Sequence, residues 1–440
     1  MRTFATRSAI CLLTALNLVA LNCSAAARAD EPWNRFRGPH GSGISTLRGV
    51  PVAWTDADYR WSVDLPGTGI SSPVVWGDRV FVTAANEETS QRSLLCYAAA
   101  DGKLLWTQSV PFEAEKKHRQ NSYATNTPTV DAERVYTVWQ SRGGSQLLAF
   151  THDGKPAWSF DLGAYKSGHG GGISPVAVDG VIALNLNHEG DSRLVGVDAT
   201  TGKLKWQVPR DSVKATYSTP CTFEERGKKL LAFTSWRHGF TAVDPHSGAV
   251  VWELSEVFDP KDDVEKRAIS SPFSADGLIY GACGFTGGKK ILTAIRLNTS
   301  NAGTGNAAST TTTNGATGPT PDVSFRLDRT VNHMPTALAY RGLLFIWTDL
   351  GIVLCVQGDT GETVWQKRIG GNFSGSPICV DGKLYCVSEE GEAIVLAADK
   401  EFAELSRTKL PEGSAATPAV GDDALFLRTH GKLLALPAKR

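Results

Sequence analysis

The chain has no excess of charge of either sign: 45 Lys and Arg balance 45 Asp and Glu. Nothing in that balance asks for nucleic acid or an anionic membrane surface as a partner. Past the first thirty residues no apolar run approaches the roughly 20 residues of a membrane-spanning helix. The six cysteines beyond that point, Cys96, Cys221, Cys283, Cys355, Cys379 and Cys386, include no adjacent pair and no C-x-x-C, so metal-finger spacing is missing. There is also no G-x-S-x-G elbow and no H-E-x-x-H, which leaves two common hydrolase chemistries without a signature. Most of the cysteines sit in apolar runs such as Val353-Leu354-Cys355-Val356 and read as small buried hydrophobes. Cys379 and Cys386 flank an Asp381-Gly382 turn that sets them two residues out of register, so no disulfide is expected between them.

What is present begins with a leader. Arg2 and Arg7 precede an apolar stretch from Ile10 to Leu21, and Ala27-Arg28-Ala29 supplies small residues around a cleavage point before Asp30. Residues 1–29 therefore read as a signal peptide, and the mature protein as soluble in the periplasm or outside the cell. Asn22 stands where a lipobox wants a small residue, so a lipid anchor on Cys23 is not expected. Residues 30–58, rich in Gly, Pro and Trp, read as an extended arm packed on the domain that follows.

From about residue 59 a unit repeats. Its openings are Ser72-Pro73, Thr127-Pro128, Ser174-Pro175, Thr219-Pro220, Ser271-Pro272, Met334-Pro335, Ser376-Pro377 and Thr417-Pro418, with prolines 55, 47, 45, 52, 63, 42 and 41 residues apart. That is the period of a four-stranded propeller blade. Pro suits the first residue of a strand because it has no amide hydrogen to leave unpaired. Turns such as Gly77-Asp78, Asp179-Gly180 and Asp381-Gly382 follow, then apolar second and third strands. The unit closes on Gly-x-x-x-Trp at Gly102/Trp106, Gly154/Trp158, Gly202/Trp206, Gly248/Trp252 and Gly361/Trp365. The Trp is expected to start the outer strand and cover the seam between sheets.

The last unit ends after Leu433–Leu436 without an outer strand, whereas an orphan strand, residues 59–65, precedes the first unit. Pairing the two closes the ring and removes an open edge. The expected fold is all-β: an eight-bladed β-propeller of four-stranded antiparallel blades over residues 59–437, sealed by the N-terminal strand. Residues 298–322, rich in Thr, Asn, Gly and Ala, read as a disordered loop within blade five.

These openings, hairpins and closings resemble the quinoprotein-type (PQQ-like) propeller repeat. Trp33 to Gly43 looks like a leader found ahead of secreted propellers of this kind. The resemblance implies the fold. For function it points two ways: to the non-catalytic outer-membrane assembly lipoprotein BamB, and to quinoprotein alcohol dehydrogenases that hold PQQ and calcium in the channel. The adjacent cysteines of the latter are missing here, and no PQQ, calcium or other metal is expected to be bound.

In a propeller, loops leading into the inner strands share one face with loops joining second to third strands. Six of the nine histidines fall on this face. The candidate binding residues there are His118, Arg119, Asn121, Tyr123, His169, Asn187, His188, Glu189, Lys214, Tyr217, Trp236, Arg237, His238, Arg267, His333 and Asp349. Donors and aromatics converging from many blades suit an anionic, sugar-like or peptide ligand. The expectation is a monomeric, non-catalytic binding or scaffold propeller of the cell envelope, with protein partners or a small polar ligand. The alternatives are a PQQ-dependent dehydrogenase and a carbohydrate-binding or carbohydrate-acting propeller.

Overall fold

The computed structural model describes residues 31–258, 265–285, 287–297 and 320–439. The signal-peptide assignment, Cys23 and nearly all of the 298–322 loop lie outside the described residues. Among the described residues the chain forms eight sheets; within the first seven, the blade strands run from inner to outer in sequence order. Blades one to seven occupy residues 74–111, 129–163, 176–209, 221–254, 273–327, 338–368 and 378–409. The eighth is built from 419–437 and Trp61–Asp64.

That last pairing closes the ring. Trp61–Asp64 runs antiparallel to Lys432–Pro437, with Trp61 opposite Ala435 and Asp64 opposite Lys432. Lys432 and Asp64 add an ion pair across the same register.

The repeat's closing Trp does more than begin a strand. In the five blades that carry the full motif it is the third residue of the outer strand, as in Leu104–Pro111, and stands opposite the third strand beside a bulge, Cys96 facing Trp106. Its ring then reaches the next blade. Trp106, Trp158 and Trp206 donate from Nε1 to the carbonyls of His152, Ala199 and Pro245 at 2.7–3.0 Å. The glycine of the following blade lies flat on that ring. At Gly102 (φ +72°) an added Cβ would sit 2.8 Å from Trp61, so a side chain would be both strained and blocked. Phe325 takes the indole's place in blade five, against Gly361. The radial core is thus a series of apolar seams in which each sheet is the other half of its neighbour's core.

One opening is misplaced in the sequence reading. The inner strand of blade six is Leu338–Tyr340, and the residue matching Ser72 is Thr336. Thr336 makes the inter-blade bonds that the Ser or Thr before Pro makes elsewhere. Met334-Pro335 lies two residues upstream, and Ala337 stands where the other blades carry Pro.

All six described cysteines are buried and unpaired. Cys379 faces Leu384, which leaves Cys386 two residues further along. Burial pushes the thiols of Cys96, Cys221, Cys355 and Cys379 up to about 12, where they are inert as nucleophiles.

Candidate functional site at the channel mouth

The arm closes one end of the central channel. Asn34 exchanges hydrogen bonds with Val130, the Trp33 carbonyl accepts from Val75, and Ile44–Ser45 adds a short parallel strand to Ile378–Val380. Between these anchors Arg35, Phe36 and Arg37 turn into the channel. Arg37 is fully buried. It donates to the carbonyls of Gly41, Ser42, Thr336, Ala337 and Pro377 at 2.9–3.3 Å, tying the arm to blades six and seven. Arg35 donates to the Pro220 carbonyl of blade four. Tight turning is needed to place them. Gly38, at φ +65°, packs against Trp33 so closely that a Cβ would lie 2.5 Å from the indole.

Above the arm the hydroxyls of the blade openings form a ring. At seven of the eight seams the Ser or Thr amide donates to the hydroxyl of the next blade: Ser72 to Thr127, Thr127 to Ser174, Thr219 to Ser271, Ser271 to Thr336, Thr336 to Ser376, Ser376 to Thr417 and Thr417 to Ser72, at 2.9–3.2 Å. These buried amides would otherwise lack partners. The repeating hydroxyl therefore joins the blades as well as lining the throat.

The throat opens into a cavity of about 180 Å³ floored by Phe36 and the hydroxyl ring. Each of the eight loops leading into a blade contributes to its wall, through Ile70, His118, His169, Tyr217, Arg267, Met334, Ser374 and Ala415 among others. The His118 and His169 rings stack, 5.3 Å apart and 20° from parallel. Arg267 Nη2 donates to His169 Nδ1 at 3.2 Å and to Glu189 at 3.3 Å. The Gln120 amide donates to His118 Nδ1 at 3.4 Å. Asn121 donates to the carbonyls of His169 and Gly171, holding the two loops together. Tyr217 donates to the Gly170 carbonyl and accepts from Ser167. Burial first, and then the charge of Arg267, hold the His169 imidazole below its usual range.

The structure brings five of the nominated residues to this cavity: His118, Asn121, His169, Tyr217 and Arg267. Others stand on its rim. Arg119 borders an adjoining groove, Glu189 pairs with Arg267, and the half-exposed Arg237 pairs with Asp211 and Glu265. Lys214 is partly buried beside Glu265, which its amide contacts. Tyr123 packs at a tilt against Phe112, with Lys117 over its ring. The remainder are buried in the loop bases. Asn187 is fully enclosed, and His188 packs on Tyr165. His238 reaches Glu253. Asp349 accepts from the amides of His333 and Met334 and from Lys290. Trp236 is 8% exposed with the Lys266 ammonium 4.1 Å over its ring, which removes it as an open platform for a sugar.

Sequence reasoning missed Phe36, Ile70, Ile269, Met334 and the hydroxyl ring. The hydroxyls were visible as the residues before Pro, but only as strand openings.

A calcium-linked quinone would need several oxygen ligands, carboxylates among them. No carboxylate lines the cavity, and among the described residues no three His, Cys, Asp or Glu stand close enough to share a metal ion. The residues present do not fit that group.

The model of the family described as outer membrane protein assembly factor BamB matches at residues 44–108, 58–214, 96–322 and 241–440. No curated protein is significantly similar in sequence. Among solved structures, BamB from Moraxella catarrhalis is 14% identical, with a TM-score of 0.60 over 86% of this chain and 98% of its own. Quinohemoprotein alcohol dehydrogenase from Comamonas testosteroni is also 14% identical, with a TM-score of 0.65 over 94% of this chain and 82% of its own. The computationally designed Ika8 protein is 9% identical and aligns at 0.56 over 88% of this chain and all of its own. At these identities the likeness is one of fold.

Proposed function

Because the chain belongs to the family of the outer membrane protein assembly factor BamB, we propose that it is an exported, non-catalytic binding propeller of the cell envelope that engages protein partners with its channel-mouth loops. The observation that carries this is an asymmetry of the two faces. One end of the channel is filled by the chain's own arm, whereas the loops of all eight blades converge on the other. Exposed apolar side chains stand on that rim, Val213 at 53% and Leu350 at 64% exposure, and such groups add to binding when a partner covers them. Arg237 on the same rim is already paired with Asp211 and Glu265, so the exposed apolar groups are the natural contact for a partner. Export rests on the leader, and no helix among the described residues is long and apolar enough to cross a membrane.

Site-specific photocrosslinking in intact cells tests the assignment. A photoreactive residue at Val213 or Leu350 is expected to give a discrete adduct with an envelope protein. The same residue at Glu133, in a hairpin turn of the arm-covered face, is expected to give none. Adducts from Glu133 alone, or equal adducts from all three, would reverse the face assignment.

A further inference from the structure

The cavity at the channel mouth has a donor set that asks for a particular ligand. Arg267 can only donate, so the nitrogen it contacts, His169 Nδ1, must carry a lone pair. The Gln120 amide imposes the same on His118 Nδ1. Both imidazoles are therefore held as the Nε2–H tautomer, and each has an N–H to offer a ligand. With the Arg267 guanidinium, whose Nε is buried without a partner, one side of the cavity holds three donor groups and no carboxylate. The charged and titratable groups around His169 are Arg267, His118, Lys214 and Glu189. Glu189 lies outside the lining and is engaged with Arg267.

Apart from these donors and the hydroxyls of the throat, the wall carries an apolar group: Phe36 below, with Ile70, Ile269, Met334 and Ala415 around it. The volume, about 180 Å³, is slightly more than the roughly 150 Å³ apolar cavity that takes up benzene. A ligand that satisfies this pocket brings an anionic acceptor to one side and a compact apolar body to the other. Carboxylate and phosphate both suit a guanidinium fork, but only an anion with an apolar part also fills the other side of the cavity.

We infer that the channel pocket binds a small monocarboxylate, its carboxylate held by Arg267, His169 and His118 and its apolar body against Phe36, Ile269 and Met334. This site is separate from protein docking on the rim, because Val213 and Leu350 are not part of the lining.

Calorimetric titration of the mature protein with benzoate tests it, with benzamide as the neutral analogue of the same shape and inorganic phosphate as the anion without an apolar part. Benzoate is expected to saturate a single site. Benzamide and phosphate are expected to bind about tenfold more weakly or worse. Arg267→Gln should cost benzoate a similar factor. Met334→Trp, which fills the apolar half and leaves Arg267 intact, should abolish binding in a protein whose circular dichroism is unchanged. Absence of benzoate binding at millimolar concentration, equal binding of benzamide or phosphate, or undiminished binding to a folded Arg267→Gln or Met334→Trp variant would overturn the assignment, whatever the crosslinking result.

Discussion

The indole Nε1 of Trp61 donates a 2.9 Å hydrogen bond to the carbonyl of Ala99. Trp61 belongs to the eighth sheet and Ala99 to the first blade, so this bond spans the point where the ring closes. It repeats what Trp106 does toward His152 and Trp158 toward Ala199. The closing strand is therefore docked by the same device as every internal seam, and the termini are sealed as a blade rather than tied by a loop.

Trp61→Ala is accordingly expected to destabilise the protein by about 3–5 kcal/mol, the range for emptying a buried aromatic site. Trp61→Phe keeps most of the packing and loses the hydrogen bond, at about 1 kcal/mol for that bond. Urea midpoints of the two variants should fall in that order. Equal, near-neutral midpoints would mean that the ring does not depend on its closing seam.

A second expectation concerns the arm. Arg37 has no carboxylate among its partners. Its guanidinium is satisfied by five carbonyls drawn from the arm, blade six and blade seven. Arg37→Met leaves those buried carbonyls short of donors, and losses of about 3 kcal/mol or more are expected. Arg37→Lys should not rescue it, since an ammonium cannot reproduce the planar fork. Limited proteolysis provides the second measurement: cleavage within residues 32–58 should accelerate in both variants well before the blades are cut.

The throat ring makes a third test. Thr336→Val removes the hydroxyl that accepts from the buried amide of Ser271 while keeping the volume. An orphaned buried amide costs about 1–3 kcal/mol, so the variant should be measurably less stable by chemical denaturation. Met334→Leu, two residues away at the position that reads as the opening in the sequence, should stay within about 1.5 kcal/mol of wild type.

That contrast marks where the sequence was readable. Gly-x-x-x-Trp and the Asp-Gly hairpins are local rules, imposed by backbone sterics and a single large ring. They recur often enough along the chain to mark the blade boundaries and, with the orphan strand before the first unit, the ring closure. The Ser/Thr-Pro opening is different, because its hydroxyl is selected by a neighbour in the next blade. Proline merely accompanies it, so following proline slips blade six by two residues. The floor of the cavity was not readable for the same reason. Phe36 and Arg37 lie in an irregular arm with no period to place them, and their partners are some 300 residues away in sequence. Of the nominated mouth residues, those brought together at the cavity come from loops leading into blades. Most of the buried ones, His188, Trp236, His238 and Asp349, come from loops joining second and third strands, further from the axis.

Acid should loosen the protein through the buried carboxylate that His238 contacts. Glu253, 1% exposed at the side chain, accepts from Arg210 at 2.7 Å, Thr241 at 3.1 Å and His238 at 3.1 Å. His238 Nε2 lies 2.7 Å from Asp211 on the surface. Burial alone would raise the Glu253 carboxyl, but the His238 hydrogen bond and the Arg210 charge outweigh it and hold the group below its ordinary 4.5. The folded state thus binds fewer protons there than the unfolded chain. The stabilisation is complete above the ordinary carboxylate range and is lost as pH falls through the folded value. His333, held below its ordinary 6.5 chiefly by burial, acts in the same direction at higher pH: the unfolded chain takes up its proton first, so stability already declines as pH drops below 6.5. Urea midpoints measured from about pH 8 down to about pH 2 should therefore fall in two stages, the upper one through His333 and the lower one, below the ordinary carboxylate range, through Glu253. Glu253→Gln should lower the neutral plateau by about 3–5 kcal/mol, because Arg210 is left buried without its counter-charge, and should flatten the lower stage alone. His333→Asn should reduce the upper stage, to which His169 also contributes, without touching the lower one. A wild-type midpoint that does not change across this range would show that neither group is coupled to folding.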